Sequence, residues 1–444
     1  MSELQPSVAS ATSVLREEPQ SASLAERWYV LIMMCLVYTL SIADRYVVST
    51  VLEPIRIELH LTNLGVALLT GFAFGLFYIV LGFPLSWLID RYNRRKIVAA
   101  CLVLWSAMTA VCGLARTPFE FFLARVGVTV GEAGGTPGAN SLLSDYFPAT
   151  RRAMALTVFS LGAPIGAWLG YTVAGFIADR HGWRAAFYAL GVPGVLAGVG
   201  VWLTVREPQR GCLDSGAAGL APSVRATARF LWQQRSAMHV IMGTAICALW
   251  GWGLMYWTPA FLQRTYHLSV GEASAVTQNM HLWGGGIATL ATGWLMARGT
   301  MIDARRIVWV LAAGIGIATV ASGVVYYTRD LGVAKAMLWI FIPAIYFYIG
   351  PGFGLLNNLA PCRMRAMFCA TVLFLANFGN LVIAPPLIGA LNDWFARAYH
   401  LSNTDALRLA MLCLVPTGFW ATVHLLLSAR DILKDQERAR ASLF

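Results

Sequence analysis

Two pairs of charged residues interrupt stretches that are otherwise built for an apolar surrounding. Asp44 and Arg45 stand side by side in "LVYTLSIADRYVVSTVL" (36–52), and Arg125 and Glu132 lie seven residues apart further along. A formal charge near the middle of a bilayer costs at least about 2.5 kcal/mol, so a retained one needs a partner or a water-filled cavity. In a helix, seven residues are two turns, which puts Arg125 and Glu132 on one face. Neighbours in sequence point about 100° apart, so Asp44 and Arg45 cannot share a partner: one is expected at a cavity, the other against a helix. A carboxylate losing solvent holds its proton more tightly and a nearby guanidinium makes it release the proton, so moving helices can load and unload it. Glu132 and Asp44 are therefore candidates for proton coupling. Arg45 and Arg125 are candidates to pair with them or with an anionic substrate head group. The plain alternative is a buried ion-pair network that fixes the contact between two helices.

The elements that must hold these residues are apolar. Hydrophobic residues make up 58% of the chain and charged residues 12%, far from the average soluble domain. Runs of roughly 20 apolar residues, enough to cross a bilayer core of about 30 Å, recur along the length. Twelve are expected: 28–51, 65–88, 96–115, 119–143, 153–177, 183–205, 238–261, 273–297, 306–327, 336–357, 366–390 and 407–428. They are continuously apolar and do not alternate with period two, so helices and not barrel strands are expected. The fold class is an all-α polytopic membrane protein.

Residues 1–27 are polar, with Ser, Pro and both charge signs and no apolar cleavable core, which reads as a flexible tail. Arg91, Arg94, Arg95 and Lys96 follow the second span, Arg151 and Arg152 the fourth, and Arg305 and Arg306 the eighth. These loops share one side, expected to be cytoplasmic together with both termini. The net charge of +11 is then a topology signal, and no nucleic-acid partner is implied. Residues 206–237, with "GCLDSGAAGLAPS", form the long polar connection and split the spans into an N-terminal bundle (28–205) and a C-terminal bundle (238–428), with a tail at 429–444.

The halves echo each other, as in secondary transporters. The fifth span ends in "GFIAD" and the eleventh in "GALND", so Gly175 and Asp179 correspond to Gly389 and Asp393. "DRYNRRKIV" between the second and third spans is matched by "DARRIV" between the eighth and ninth. "SWLIDRYNRRKIV" (86–98) resembles the cytoplasmic motif of the major facilitator superfamily, with Ser86 where a Gly is usual. The Tyr-Asn within it resembles the spinster-like branch, with Asn93 at another usual Gly position. So does "VGEAGGTPGANSLLSDYFPATRRAMALTVFSLGAPIGAWLG" (130–170), followed by "GWRAAF" and "VREPQRG", with Thr129 where the fourth span usually has Gly. "NFGN" (377–380) is the best match in the second half.

The resemblance implies two six-helix bundles with pseudo-two-fold symmetry and transport by alternating access. It implies that Asp90, Arg91, Arg94 and Arg95 form a cytoplasmic gate motif holding the two halves together; the alternative is a solvated loop. Animal members of the branch are associated with lysophospholipids and sphingosine 1-phosphate, which makes an amphipathic lipid the expected substrate. Gly162, Pro164, Gly166 and Gly170 resemble the superfamily's Gly-Pro motif and allow close helix packing.

The second half has no acidic residue at any span centre. It offers "LWGWGLMYWTP", "IFIPAIYFYIG" and the polar residues Gln278, Asn279, His281, Asn377 and Asn380. Trp252, Tyr256, His281, Tyr346 and Asn377 are candidate cavity lining, suited to an acyl chain, although such residues also form interface belts. His281 is a possible proton relay or a satisfied core histidine. The eight cysteines (35, 101, 112, 212, 247, 362, 369 and 413) show no metal-ligand spacing and are expected as reduced thiols.

The three lysines, Lys96, Lys335 and Lys434, belong to no phosphate-binding loop, and neither His-Glu-x-x-His nor Gly-x-Ser-x-Gly occurs. A pump or membrane-embedded enzyme is therefore disfavoured, and neither metal nor cofactor is expected. The remaining reading is a proton-coupled secondary transporter, acting as a monomer in a bacterial plasma membrane. Its rival substrate is a small organic acid, for which Arg45 and Arg125 suffice.

Overall fold

A computed structural model describes residues 23–208, 224–297, 303–361 and 364–441, and no strand occurs among them. The twelve long helices are α1 (Leu24–Thr50), α2 (Asn63–Arg91), α3 (Arg94–Cys112), α4 (Pro118–Tyr146), α5 (Ala149–Ser160 and Gly162–His181) and α6 (Trp183–Thr204). They continue as α7 (Arg235–Tyr266), α8 (270–297), α9 (Ala304–Tyr327), α10 (Leu331–Leu359), α11 (365–398) and α12 (403–441). Ten of these stretches are long and apolar enough to cross a membrane on composition alone. The other two are α4, which carries Glu120, Arg125 and Glu132, and α8, which carries Glu272, Gln278, Asn279 and His281.

An even number of crossings returns the chain to the side on which it began, so α1 starts and α12 ends on one face, here called the terminal face. The opposite one is the far face. The most intimate packing is made by glycine. A side chain at Gly170 of α5 would sit 2.7 Å from the Ala43 carbonyl of α1, and one at Gly131 of α4 would sit 2.6 Å from the Cys101 carbonyl of α3. These contacts press α5 and α3 against the segments that carry Asp44, Arg45 and Glu132. Despite Thr129, then, α4 lies close on α3, because Gly131 supplies the approach two residues on.

Several helices are interrupted. Single π-helical turns occur at Leu68–Phe72 in α2, Met280–Gly285 in α8 and Phe378–Ile383 in α11, and α5 breaks at Leu161. Such turns are frequent at functional sites.

Two helical stretches lie outside the expected spans. The connection read as a linker contains a helix, Val224–Gln233. The stretch from 429, read as a tail, continues α12 to Ala441. It is held because the buried Asp435 carboxylate accepts from the Ser236 backbone N–H at 2.9 Å and the Ser236 hydroxyl at 2.7 Å, satisfying an otherwise orphaned donor at the start of α7. Cys212, Cys362, residues 1–22 and residues 209–223 lie outside the described residues.

Candidate functional site

Glu132 of α4 is 1% exposed. Its Oε1 accepts from Arg45 Nε at 2.5 Å and from the Ser41 hydroxyl at 2.6 Å, and its Oε2 has no partner among the described residues. Ser41 and Arg45 are one turn apart on α1, which is why both reach the same oxygen. Asp44 points elsewhere: its Oδ2 accepts from Thr109 of α3 at 2.7 Å. The adjacent residues divide as helix geometry requires, Asp44 against α3 and Arg45 against α4.

The Arg45 guanidinium stacks over the rings of Tyr78 at 5.0 Å and Phe74 at 5.2 Å, both on α2. Its side chain remains 25% exposed and lines a cavity. Arg125 also stacks over the Phe74 ring, at 4.9 Å, is 2% exposed, and leaves Nε and Nη1 without hydrogen-bond partners among the described residues. No ion pair joins Arg125 to either carboxylate among the described residues. The sequence placed Arg125 and Glu132 on one face; in this arrangement the cation that reaches Glu132 is Arg45.

The cavity, about 250 Å³, lies between the halves. Arg45, Tyr46 and Ser49 of α1 face Trp252 and Tyr256 of α7, with Phe353 of α10 and Asn377, Asn380 and Leu381 of α11 completing the wall. Asn377 immediately precedes the π turn of α11 and Asn380 lies within it, and both line the same space. His281 and Tyr346, expected as lining, do not line it: they are buried one layer behind, where the Tyr346 hydroxyl and His281 Nδ1 are 2.8 Å apart and both rings pack edge-on against cavity aromatics. Nε2 of His281 has no partner among the described residues.

The basic loop is anchored inside the N-terminal half. Arg94 is buried and donates to Asp145 at 2.5 Å and to Glu207 at 2.8 Å, while Arg95 donates to the Val205 carbonyl at 3.0 Å. Arg91 lies over the Trp87 ring at 4.1 Å, and Asp90 is exposed. Among the described residues, Arg94 and Arg95 are bonded to α4 and to the residues after α6.

Hydrogen bonds that do join the halves gather toward the far face. Arg264 of α7 pairs with Glu53 and donates to Asn63 at 2.8 Å, and Gln263 donates to the Thr50 carbonyl at 3.2 Å. Tyr256, at the cavity wall, is hydrogen-bonded to Thr70 in the π turn of α2. Ser41, Thr109, Glu53, Asn63 and Arg264 escaped the sequence reading. One sequence signal for the far face was present: "HLTN" (60–63), "HLSV" (267–270) and "HLSN" (400–403) are three copies of one turn. Their histidines all adopt left-handed backbone, with φ of 52°, 54° and 53°.

The family model for the Major Facilitator Superfamily matches residues 34–381. The chain belongs to that superfamily. This transporter is 30% identical over 371 residues to an MFS-type efflux pump of Mycolicibacterium smegmatis, an alignment covering 82% of this chain and 84% of that one. It is 27% identical to protein spinster homolog 1 of Mus musculus, over 93% of this chain and 82% of that one. Its fold superposes, with a TM-score of 0.81 and 28% identity, on the crystal structure of a bacterial homolog of the human lysosomal transporter Spinster in an inward-facing, unoccupied conformation. That match covers 93% of this transporter and 99% of the other chain. Within the superfamily the transporter is spinster-like, and its relatives and structural neighbours are transporters, not enzymes.

Proposed function

We propose that this protein is a proton-coupled secondary transporter that carries an amphipathic anionic or zwitterionic lipid, such as a lysophospholipid or a sphingosine 1-phosphate-like molecule. It works as a monomer by alternating access in a bacterial plasma membrane, with the terminal face cytoplasmic. The observation that carries this reading is the position of Arg45, which gives one edge to Glu132 and the other to a cavity with aromatic and aliphatic walls.

Arg45 is a cation with two claimants. While Glu132 is ionised it holds the guanidinium. A proton on Glu132 weakens that pair, and the guanidinium is then free for an anionic head group. Proton and substrate anion therefore bind together, which is the coupling. Arg125, with two nitrogens unpaired among the described residues, is the cation available to Asp44 or Glu132 when helices move. Asp44 tunes the site from its place beside Arg45 on α1, and Trp252 and Tyr256 receive the apolar part of the substrate. The likeness to an inward-facing relative and the hydrogen bonds near the far face support an inward-facing state, in which the far face is closed.

A second reading, a small organic acid, is favoured by the cavity volume of about 250 Å³, which suits a small molecule better than a long acyl chain. Chain length separates the two. With lysolipids of graded length, Trp252→Ala weakens binding more for long chains than for short ones, because each methylene adds affinity only where it meets apolar surface. Equal loss at every length, measured by ligand-induced thermal stabilisation, would transfer the substrate to the small acids.

A further inference from the structure

The repeated Gly-x-x-x-Asp sequence finds its purpose at the far face. Asp179 ends α5, in the first half, and its Oδ2 accepts from the Gly271 N–H of α8, in the second half, at 3.0 Å. Asp393 ends the corresponding stretch of α11, in the second half, and its Oδ2 accepts from the Leu64 N–H of α2, in the first half, at 2.9 Å. The two bonds are equivalent in detail. Thr62 and Ser269 cap α2 and α8, each accepting from the amide three residues on, at 2.9 and 3.1 Å. Each aspartate then takes the amide just before that one, in the first turn of a helix belonging to the other half. Negative charge is favourable there, because the amides at a helix start are unpaired and carry the positive end of the helix dipole.

The glycine one turn before each aspartate makes the reach possible. A side chain at Gly175 would come within 2.6 Å of Ser274 on α8, and one at Gly389 within 2.7 Å of the Asn63 carbonyl on α2. The clasps differ in reinforcement. Asp179 is exposed and, among the described residues, receives in addition only the Ser269 hydroxyl, at 2.7 Å. Asp393 also holds the Asn63 side chain at 2.7 Å, and Asn63 in turn meets Arg264.

We infer that Asp179 and Asp393 are the two symmetry-related clasps of the far gate, and that both must release for the transporter to open to that side. Each carboxylate is offered by one half to a helix start of the other, so the rocking of rigid halves breaks both bonds together. These two residues and the glycines before them weight the balance between the two open states, together with the Arg264–Glu53 pair.

The test is hydrogen–deuterium exchange of the full chain in lipid nanodiscs, with peptides covering residues 60–72 and 267–279. Loss of a hydrogen bond to a charged group corresponds to roughly tenfold faster opening. Asp393→Ala is expected to speed exchange about tenfold at both helix starts, including that of α8, which Asp393 does not touch. Asp179→Ala does the same with a smaller effect, and both slow exchange at the terminal-face ends of α4 and α11 as that side closes. Should Asp393→Ala fold poorly, Gly389→Ala keeps every hydrogen-bonding group and forces the same separation. Faster exchange confined to the helix each aspartate caps would overturn the inference, leaving two local caps, and so would unchanged exchange in these variants.

Discussion

Glu132 uses one oxygen for two donors and leaves the other bare, whereas Asp44 is fastened to a hydroxyl of the neighbouring helix. Thr109→Val removes the hydroxyl but keeps the shape, and a buried acceptor deprived of its donor costs about 1–3 kcal/mol. Chemical denaturation of the variant is expected to show a loss of that size, partly recovered when Asp44→Asn is added, since the neutral amide is cheaper to bury. An unchanged variant would mean that Asp44 finds another donor. At this scale the sequence was legible in its charges and blind to their partners. Asp44, Arg45, Arg125 and Glu132 stand out from an apolar background, while Ser41 and Thr109 are ordinary helix residues whose significance comes only from the angle at which α1 meets α3 and α4.

Among the elements, the basic loop shows how a motif and its contacts come apart. Arg94 is buried and pairs with the buried Asp145 and the half-buried Glu207, so Arg94→Ala takes the cation from both. Breaking a buried pair this way costs roughly 3–5 kcal/mol. A melting curve is expected to fall steeply for Arg94→Ala; melting equal to that of the wild type would contradict the packing role. The twelve helices were readable from apolar length because lipid demands it. Their interruptions were not: the π turns of α2, α8 and α11 contain residues common in regular helices. Nor was the extension of α12 beyond 428, which depends on Asp435 meeting Ser236 across the bundle.

For the whole molecule, the joined far face makes the conformational balance sensitive to acid. Glu53, in the short helix Leu52–Glu58 after α1, is partly desolvated, which alone raises its pKa, but Arg56 and Arg264 outweigh this and hold it below the ordinary value of 4.5. A depressed carboxylate stabilises the state that contains its partners above the ordinary pKa, and that contribution is lost as pH falls through the lowered value. The Glu53 contribution is thus complete at neutral pH and fades only below about 4.5. Thermal melts between pH 3 and 7 are expected to drop in that acid range for the wild type and less for Glu53→Gln; parallel curves would remove Glu53 from the gate. The sequence displayed the symmetry of the halves through "GFIAD" and "GALND", yet gave no hint that each aspartate crosses to the other half, because that depends on how two rigid bundles meet.

Coupling between proton and substrate is the central claim, and proteoliposomes test it directly. Glu132→Gln mimics a protonated carboxyl while keeping its size. Uptake of labelled lysophospholipid is to be measured with and without an imposed pH gradient, beside binding by thermal shift. Wild-type transport is expected to follow the gradient, and Glu132→Gln to bind the lipid at least as well and respond to no gradient. Gradient-driven transport by Glu132→Gln equal to that of the wild type would contradict the account.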